Sequence, residues 1–344
     1  MNGFRSSDGG FRFPDGVEFL GSSGNEARFT VSMPLEEDGH FGRECPDCGQ
    51  HFRIDNEDYE ALPDELVLWC VYCGHSDDHS EFLTKQQSER RERVAQDYGS
   101  QLIGQMLDSS FGRMARNNRR NEFVKVTYRS TPFYPAPLPG INEENLIRER
   151  TCDGCNVRYA VFGEHRFCPL CGPLPAKTVA LDAIAADQTR IDVLGTLDTD
   201  VLRTLREAGV LDRTYADTME NLVGTIEALA DRTFHDLVPD AATIVRGKGK
   251  VFQRLNEFAD LFLVHAGLDL RADLGPSWVE LQDAWAARHI FAHADGAVDH
   301  KYLDQVSHST LRVGQRLRAT EGLARQAISI STTLVDALTS TRPA

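Results

Sequence analysis

Four Cys-x-x-Cys pairs constrain this chain more than any other feature of its sequence. They form two sets and account for all eight cysteines. In the first set 21 residues separate the two pairs, and in the second set 12 residues separate them. The first set is Cys45, Cys48, Cys70 and Cys73, and the second set is Cys152, Cys155, Cys168 and Cys171.

This spacing is typical of a zinc site. Each pair forms a tight turn that points two thiolates at one position, and two turns supply the tetrahedral sulfur shell that zinc prefers. We therefore expect two structural Zn²⁺ ions. Because four thiolates leave no open coordination position, we expect no catalytic metal. The alternative is redox chemistry, but that requires a single pair in a βαβ context.

The residues around the cysteines predict small β hairpins similar to zinc ribbons. Glu65–Trp69 and Arg158–Phe162 are rich in strand-forming residues, and an extra turn is expected over Asn56–Pro63 in the longer first gap. Residues that tolerate a positive φ follow each pair. They are Gly49, Gly74, Asn156 and Gly172.

Length and charge narrow the class of protein. A chain of 344 residues exceeds one ordinary core and predicts two or three domains. The net charge of −15 argues against a protein that coats nucleic acid by broad electrostatic attraction. No apolar run is long enough to span a membrane, and the first residues lack the apolar core of a signal peptide. We therefore expect no membrane partner and a cytoplasmic location.

Changes of pattern along the chain predict a multidomain protein: two small β zinc ribbons in the N-terminal half, then an all-α helical bundle. We expect a flexible arm over residues 1–28, the first ribbon over 29–83, a helical basic connector over 84–121, a strand (Phe123–Tyr128) plus the second ribbon over 122–176, and the helical domain over 177–344.

The predicted connector is the only clearly basic stretch. Residues 85–129 contain ten basic and five acidic side chains. This surface could contact a phosphate backbone, or it could be an ordinary solvated helix face.

One predicted helix in the C-terminal domain combines an arginine with two histidines. A capping box from Ser277 to Glu280 and a stop at Gly296 predict a helix over residues 278–295. Arg288 falls on its apolar stripe, and His289 and His293 are one turn apart. The stripe consists of Trp278, Leu281, Trp285 and Ala292.

These three side chains suit phosphodiester chemistry. One imidazole can take a proton from a ribose 2′-hydroxyl, another can protonate the leaving 5′-oxygen, and the guanidinium can stabilise the phosphorane. The alternative is a satisfied polar patch in a helix interface.

The segment Arg288-His289-Ile290-Phe291-Ala292-His293 resembles the Arg-polar-x-x-x-His signature of the HEPN superfamily. The downstream Gly296-x-Val298-Asp299-x-x-Tyr302-Leu303 is similar to the same region of bacterial members, and the resemblance covers roughly residues 177–344. It implies a helical bundle that forms a homodimer, and often a metal-independent ribonuclease of toxin or antiphage systems. By position, Arg288 and His293 would be the catalytic pair and His289 the polar residue between them.

Our leading hypothesis is therefore a HEPN-type endoribonuclease that cleaves RNA to cyclic or 3′-phosphate ends. The ribbons would recognise RNA or a protein partner. The second hypothesis is a non-catalytic zinc-ribbon scaffold or nucleic-acid-binding regulator with a helical dimerisation domain. A third is a nucleotide-binding sensor that uses the same cleft.

Overall fold

The computed structural model describes residues 5–6, 10–24, 26–33, 39–63, 65–117, 129, 133–135, 137–138 and 148–340. The chain forms two compact units. The first contains the described residues up to 162 together with 166–173, and the second contains 163–165 together with the described residues from 174 onward. The first unit is built from short strands around the cysteines, and the second is mostly helical. This confirms the predicted fold class.

The first unit contains five small sheets among its described residues. Its elements are β1 (Arg5–Ser6), β2 (Arg12–Phe13), β3 (Val17–Ser23), β4 (Glu26–Val31), β5 (His40–Glu44), β6 (His51–Asp55), α1 (Asn56–Glu60), β7 (Val67–Trp69), β8 (Ser76–Asp78), α2 (Lys85–Asn117), β9 (Arg148–Thr151), β10 (Arg158–Val161), β11 (Phe167–Cys168) and β12 (Gly172–Pro173). The largest sheet has the order β5-β6-β10-β9, and the others are the hairpins β1-β2, β3-β4, β7-β8 and β11-β12.

The N-terminal residues pack more tightly than their composition indicates. Strands β3 and β4 form an antiparallel hairpin with a register shift between Phe19 and Gly21. Its aromatic side chains join Tyr98 of α2 in one cluster, in which the ring centroids of Phe29 and Tyr98 are 5.1 Å apart. The predicted loose arm over residues 1–28 is therefore replaced, in its described part, by a packed hairpin. The buried members of the cluster are Phe11, Phe13, Val17 and Val94.

Two elements expected between Asn56 and Asn117 are present. The extra turn expected over Asn56–Pro63 is α1, which Asp55 caps by accepting a hydrogen bond from the backbone N–H of Asp58. The helix expected from Lys85 onward is α2. The predicted strand Phe123–Tyr128 lies outside the described residues.

The second unit is a helical bundle around α5. Its helices are α3 (Ala176–Gly195), α4 (Thr199–Glu207), α5 (Val210–Leu237), α6 (Ala241–Ile244), α7 (Leu255–Leu261), α8 (Leu270–Leu274), α9 (Ser277–Ala294), α10 (His300–Gln305) and α11 (Glu321–Thr339). Apolar residues of α5 recur at helical spacing and are buried, among them Met219, Leu222, Ile226 and Leu229. This face contacts α3, α9 and α11.

The segment from Val251 to Ala266 is not one continuous α-helix. It consists of a 3₁₀ turn (Val251–Gln253), then α7, then a π-helical turn (Phe262–Ala266). The π turn ends at Gly267, whose φ of 68° glycine adopts without the steric cost of a Cβ atom.

Within the described residues, no helix has both the length and the apolar character that crossing a membrane requires.

Candidate functional site

The first cysteine group lies at the tips of two hairpins. Cys45 and Cys48 lie in the turn between β5 and β6, and Cys70 and Cys73 lie in the turn between β7 and β8. The Sγ atoms of Cys45 and Cys73 are 3.7 Å apart, as are those of Cys48 and Cys70. All four are free thiols whose sulfur atoms lie within 4.8 Å of one another.

The second group repeats this arrangement. Cys152 and Cys155 lie between β9 and β10, and Cys168 and Cys171 lie between β11 and β12. The Sγ atoms of Cys152 and Cys171 are 3.9 Å apart, and those of Cys155 and Cys168 are 3.7 Å apart. The structure therefore brings together both predicted sets of four cysteines.

These distances fit a tetrahedral metal ion. A shell with metal–sulfur bonds of about 2.3 Å has sulfur–sulfur edges of about 3.8 Å. The turns have the backbone that this arrangement needs: the residue after each pair has a positive φ, as predicted. The φ values are 68° at Gly49, 77° at Gly74, 60° at Asn156 and 77° at Gly172. Both groups can thus hold a structural metal ion in a closed sulfur shell.

One hairpin from each cysteine group belongs to the same four-stranded sheet. Strand β6 pairs antiparallel with β10, with Arg53 opposite Ala160. Each of these residues lies eight positions after the first cysteine of its own hairpin, Cys45 or Cys152. Two hairpins that pair at equivalent positions are related by a local two-fold axis. The sequence predicted two separate ribbons, whereas the structure joins them into a pseudo-symmetric pair.

The aromatic side chains beside the β7-β8 and β11-β12 turns follow the same two-fold symmetry. Trp69 precedes Cys70, and Phe167 precedes Cys168; their rings stack with centroids 6.2 Å apart. A Cβ on Gly172 would lie 3.0 Å from Cε2 of Trp69, and a Cβ on Gly74 would lie 2.7 Å from Cε1 of Phe167. Each ribbon therefore places an aromatic ring against the glycine that ends the other ribbon's turn.

Backbone hydrogen bonds reinforce this reciprocal contact. The N–H of Trp69 donates to the carbonyl of Pro169 at 2.9 Å, and the N–H of Phe167 donates to the carbonyl of Val71 at 3.1 Å. Pro169 and Val71 each follow the first cysteine of a turn. The metal-binding turn of one ribbon is thus held directly by the other ribbon.

The predicted arginine–histidine helix is α9, which begins at Ser277 and ends at Ala294. The predicted capping box is absent: Pro276 is the N-cap, and no side chain caps the helix. The N–H groups of Trp278 and Val279 donate instead to the carbonyls of Gly275 and Pro276, so the backbone satisfies the first turn.

Helix α9 is a central helix that contacts α5, α8, α10 and α11. Trp278 and Leu281 of the predicted stripe are buried, whereas Trp285 is half-buried. Arg288 and His289 are half-buried, and His293 is exposed. The three side chains lie where the helix leaves the core and borders a cleft.

That cleft has a volume of about 730 Å³ and brings all three predicted residues together. The rings of His289 and His293 meet edge to face, with centroids 5.0 Å apart and an interplanar angle of 68°. The lining consists of Gln253, Arg254, Leu255, Asn256, Glu257, Gln282, Trp285, Arg288, His289, His293, Lys301, Asp304 and Gln305. A cleft of this size is typical of small-ligand sites.

Positive charge in the cleft is only partly compensated. Arg254 pairs with Glu257 at 2.5 Å. No described carboxylate lies within salt-bridge distance of Arg288 or Lys301, although Asp304 also lines the cleft. Among the described residues, the buried Nε of Arg288 has no hydrogen-bond partner. An uncompensated guanidinium favours an anionic ligand.

The sequence motif did not include Lys301, which also lines the cleft. Its Nζ lies 3.5 Å from Nε2 of His289. Burial lowers the pKa of His289 below its ordinary value of 6.5, and the charges of Lys301 and His293 lower it further. His289 is therefore held in its neutral form near pH 7, which suits a general base.

The glycine-containing tail after α9 explains how Lys301 reaches the cleft. Gly296 has a φ of 76°, and a Cβ there would lie 2.9 Å from the carbonyl oxygen of Leu317. Val298 is buried, and Asp299 caps α10 by accepting a hydrogen bond from the N–H of Tyr302 at 2.7 Å. These contacts fix α10 beside α9.

Comparison with known protein families, with curated proteins and with solved structures finds no match for this chain.

Proposed function

We propose that the second unit is an endoribonuclease of HEPN type. The observation that carries this proposal is the cleft of α9, where an uncompensated Arg288 adjoins two histidines whose rings are 5.0 Å apart. The signature resemblance over Arg288–His293 supports the same chemistry. We also propose that the protein acts as a toxin or antiphage effector, as members of the family that the motif resembles often do.

The side chains can divide the reaction between them. Neutral His289 takes the proton of a ribose 2′-hydroxyl, and the 2′-oxygen attacks the adjacent phosphorus. The bond to the 5′-oxygen breaks, and protonated His293 gives that oxygen a proton. The products are a 2′,3′-cyclic phosphate and a free 5′-hydroxyl, and Arg288 stabilises the charge on the phosphorane. The mechanism assigns no step to a metal ion.

We further propose that the bound metal in both cysteine groups is Zn²⁺. Four thiolates and tetrahedral edges of 3.7–3.9 Å favour zinc over the oxygen-preferring ions. Zinc would hold each pair of turns together. The ribbon pair would then present one rigid surface for RNA or a protein partner.

A homodimer formed through the helical unit follows from the same resemblance. It would place two α9 helices near one two-fold axis. Sedimentation of this 344-residue chain should then give twice its mass of 38.4 kDa. A monomeric mass at micromolar concentration would contradict the dimer but not the cleavage chemistry.

RNA cleavage by the full-length protein tests the proposal. We expect cleavage in EDTA while the zinc content stays constant, with cyclic or 3′-phosphate ends. Arg288→Ala and His293→Ala should abolish it, since each removes a group that acts in the transition state, and His289→Ala should lower it by about 10²-fold or more. His235→Ala is the matched control, because His235 is an exposed helical histidine that contacts Asp231.

Cleavage by Arg288→Ala and His293→Ala at the wild-type rate would refute the site. If wild type itself does not cut RNA but binds nucleotides tightly, the cleft would instead be a nucleotide sensor.

A further inference from the structure

Lys301 occupies a fixed position on the wall of the proposed cleft. It follows the N-cap Asp299 and precedes Tyr302, whose side chain is buried and anchors α10. The Nζ of Lys301 is 3.5 Å from Nε2 of His289. Lys301 is therefore an exposed residue that lines the cleft.

Lys301 shares one property with Arg288. Some cations of the second unit pair with carboxylates, such as Arg254 with Glu257 and Arg271 with Asp260. Among the described residues, Lys301 and Arg288 have no such partner within salt-bridge distance. Two cations that border one cleft without carboxylate partners attract an anion that can reach both.

We propose that Lys301 is a second phosphate-binding residue of this cleft, which takes one non-bridging oxygen of a single-stranded RNA phosphate while Arg288 takes another. The identity of the anion as an RNA phosphate rests on the proposed function. The assignment of Lys301 itself rests on its position and its charge.

Phosphate binding would also change the contact with His289. An ammonium group has three donors, and in this structure its nitrogen lies 3.5 Å from Nε2 of the His289 imidazole. A phosphate oxygen is a charged and stronger acceptor than a neutral imidazole nitrogen. Lys301 therefore shifts to the phosphate, and Nε2 of His289 becomes free to accept the 2′-hydroxyl proton. Substrate binding thus frees His289 to act as the general base.

The rest of the cleft favours an unpaired nucleotide. Uncharged amides line it beside the cations, and the amide of Gln282 donates to Oδ1 of Asn256 at 3.2 Å. Gln253 and Gln305 also line it. Amide groups can bond the edge of a base only where that base is splayed out of a helix, as in single-stranded RNA loops.

Binding of an RNA that cannot be cleaved tests this assignment independently of catalysis. The probe is a short single-stranded oligonucleotide with 2′-O-methyl groups, and its Kd is measured at several salt concentrations. Lys301→Met should weaken binding about tenfold and reduce the slope of log K against log salt by about 0.7. Lys301→Arg should restore most of the affinity.

Lys177→Met is the matched control. Lys177 pairs with Asp336 on the second unit and does not line the cleft. It should leave both the affinity and the salt slope unchanged. Circular dichroism should show that all three variants keep the wild-type helix content.

A second measurement distinguishes a direct role from a structural one. The imidazole of His289 is titrated by NMR in wild type and in Lys301→Met. Loss of the lysine charge should raise the pKa of His289 in the free protein. A lysine that only supports the fold would leave the pKa of His289 unchanged.

The outcomes separate the two proposals. If Lys301→Met binds the probe as tightly as wild type with the same salt slope, the inference is overturned, even if wild type cleaves RNA. If Lys301→Met binds less tightly but wild type does not cleave RNA, Lys301 is confirmed and the ribonuclease proposal fails. If wild type does not bind the probe, the assignment of Lys301 to an RNA phosphate is wrong.

Discussion

Trp69 of the first ribbon lies so close to Gly172 of the second that an added Cβ would be 3.0 Å from its Cε2 atom. The reciprocal pair, Phe167 and Gly74, is closer still. A glycine after a metal-binding turn is usually explained by its positive φ alone. Here the glycine has a second role, because it leaves room for an aromatic ring from the other ribbon.

Alanine substitutions at three of these glycines should separate the two roles. Gly49, Gly172 and Gly74 all have a positive φ, so alanine should cost about 1 kcal/mol of folding stability at each. Nothing lies within 4 Å of a Cβ at Gly49, which makes it the control. Overpacking against the ring should add roughly 1–3 kcal/mol at Gly172 and at least as much at Gly74.

The chain is unfolded in guanidinium, and release of the bound metal is followed with a coloured chelator. The unfolding midpoints rank the three variants by stability. Equal midpoints for all three variants would show that the ring contacts are not tight in solution.

Loss of one metal centre should speed the loss of metal from the other. Cys48→Ser removes one ligand of the first group. Cys48 lies in the β5-β6 turn, which does not carry the backbone hydrogen bonds between the ribbons. The turn at Cys70 should loosen, and Val71 then no longer holds the N–H groups of Arg166 and Phe167 at 2.9 and 3.1 Å. We therefore expect the second centre to lose its metal ion to a chelator faster than in wild type.

Native mass spectrometry over a chelator time course distinguishes species with two, one and no metal ions. Independent ribbons would instead give a long-lived species in which one ion is retained at the wild-type rate.

The pH dependence of the proposed RNA cleavage should reflect the lowered pKa of His289. A base must be neutral to act, so kcat/KM falls as the pH drops through the pKa of the free enzyme's base. Because burial and Lys301 lower that pKa, the acid limb should lie below the ordinary value of 6.5. In Lys301→Met it should move toward higher pH, and full activity should then require a higher pH. An acid limb above 6.5 in wild type would assign the base to another group.

Gly296 should be far less tolerant of alanine than Gly314. Both have a positive φ, 76° and 85°. Only at Gly296 would a Cβ approach a backbone atom, the carbonyl oxygen of Leu317 at 2.9 Å; at Gly314 nothing lies within 4 Å. We expect Gly314→Ala to cost about 1 kcal/mol and Gly296→Ala roughly 1–3 kcal/mol more.

Thermal unfolding of the second unit, followed by the fluorescence of Trp278 and Trp285, measures this difference. Gly296→Ala should also lose RNA cleavage, since it displaces α10 and Lys301. Equal unfolding temperatures for the two variants would contradict the close contact with Leu317.

The sequence by itself determined the features that depend on short spacing. Two cysteines three positions apart form a turn that points both sulfur atoms at one position, so both metal groups could be assigned with all eight ligands. A helix carries residues four positions apart on one side, so His289 and His293 could be placed together. The positive φ at Asn156 also followed from its residue type.

Only the tertiary structure decided which distant segments meet. Strand β6 pairs with β10 although Arg53 and Ala160 lie far apart in sequence, and the reciprocal packing of Trp69 and Phe167 depends on that pairing. The N-terminal hairpin folds onto Tyr98, and Lys301 reaches His289 because Gly296 and Tyr302 fix α10. Local propensity describes the conformation of a few neighbouring residues, whereas these contacts depend on how complementary surfaces from separate segments pack together.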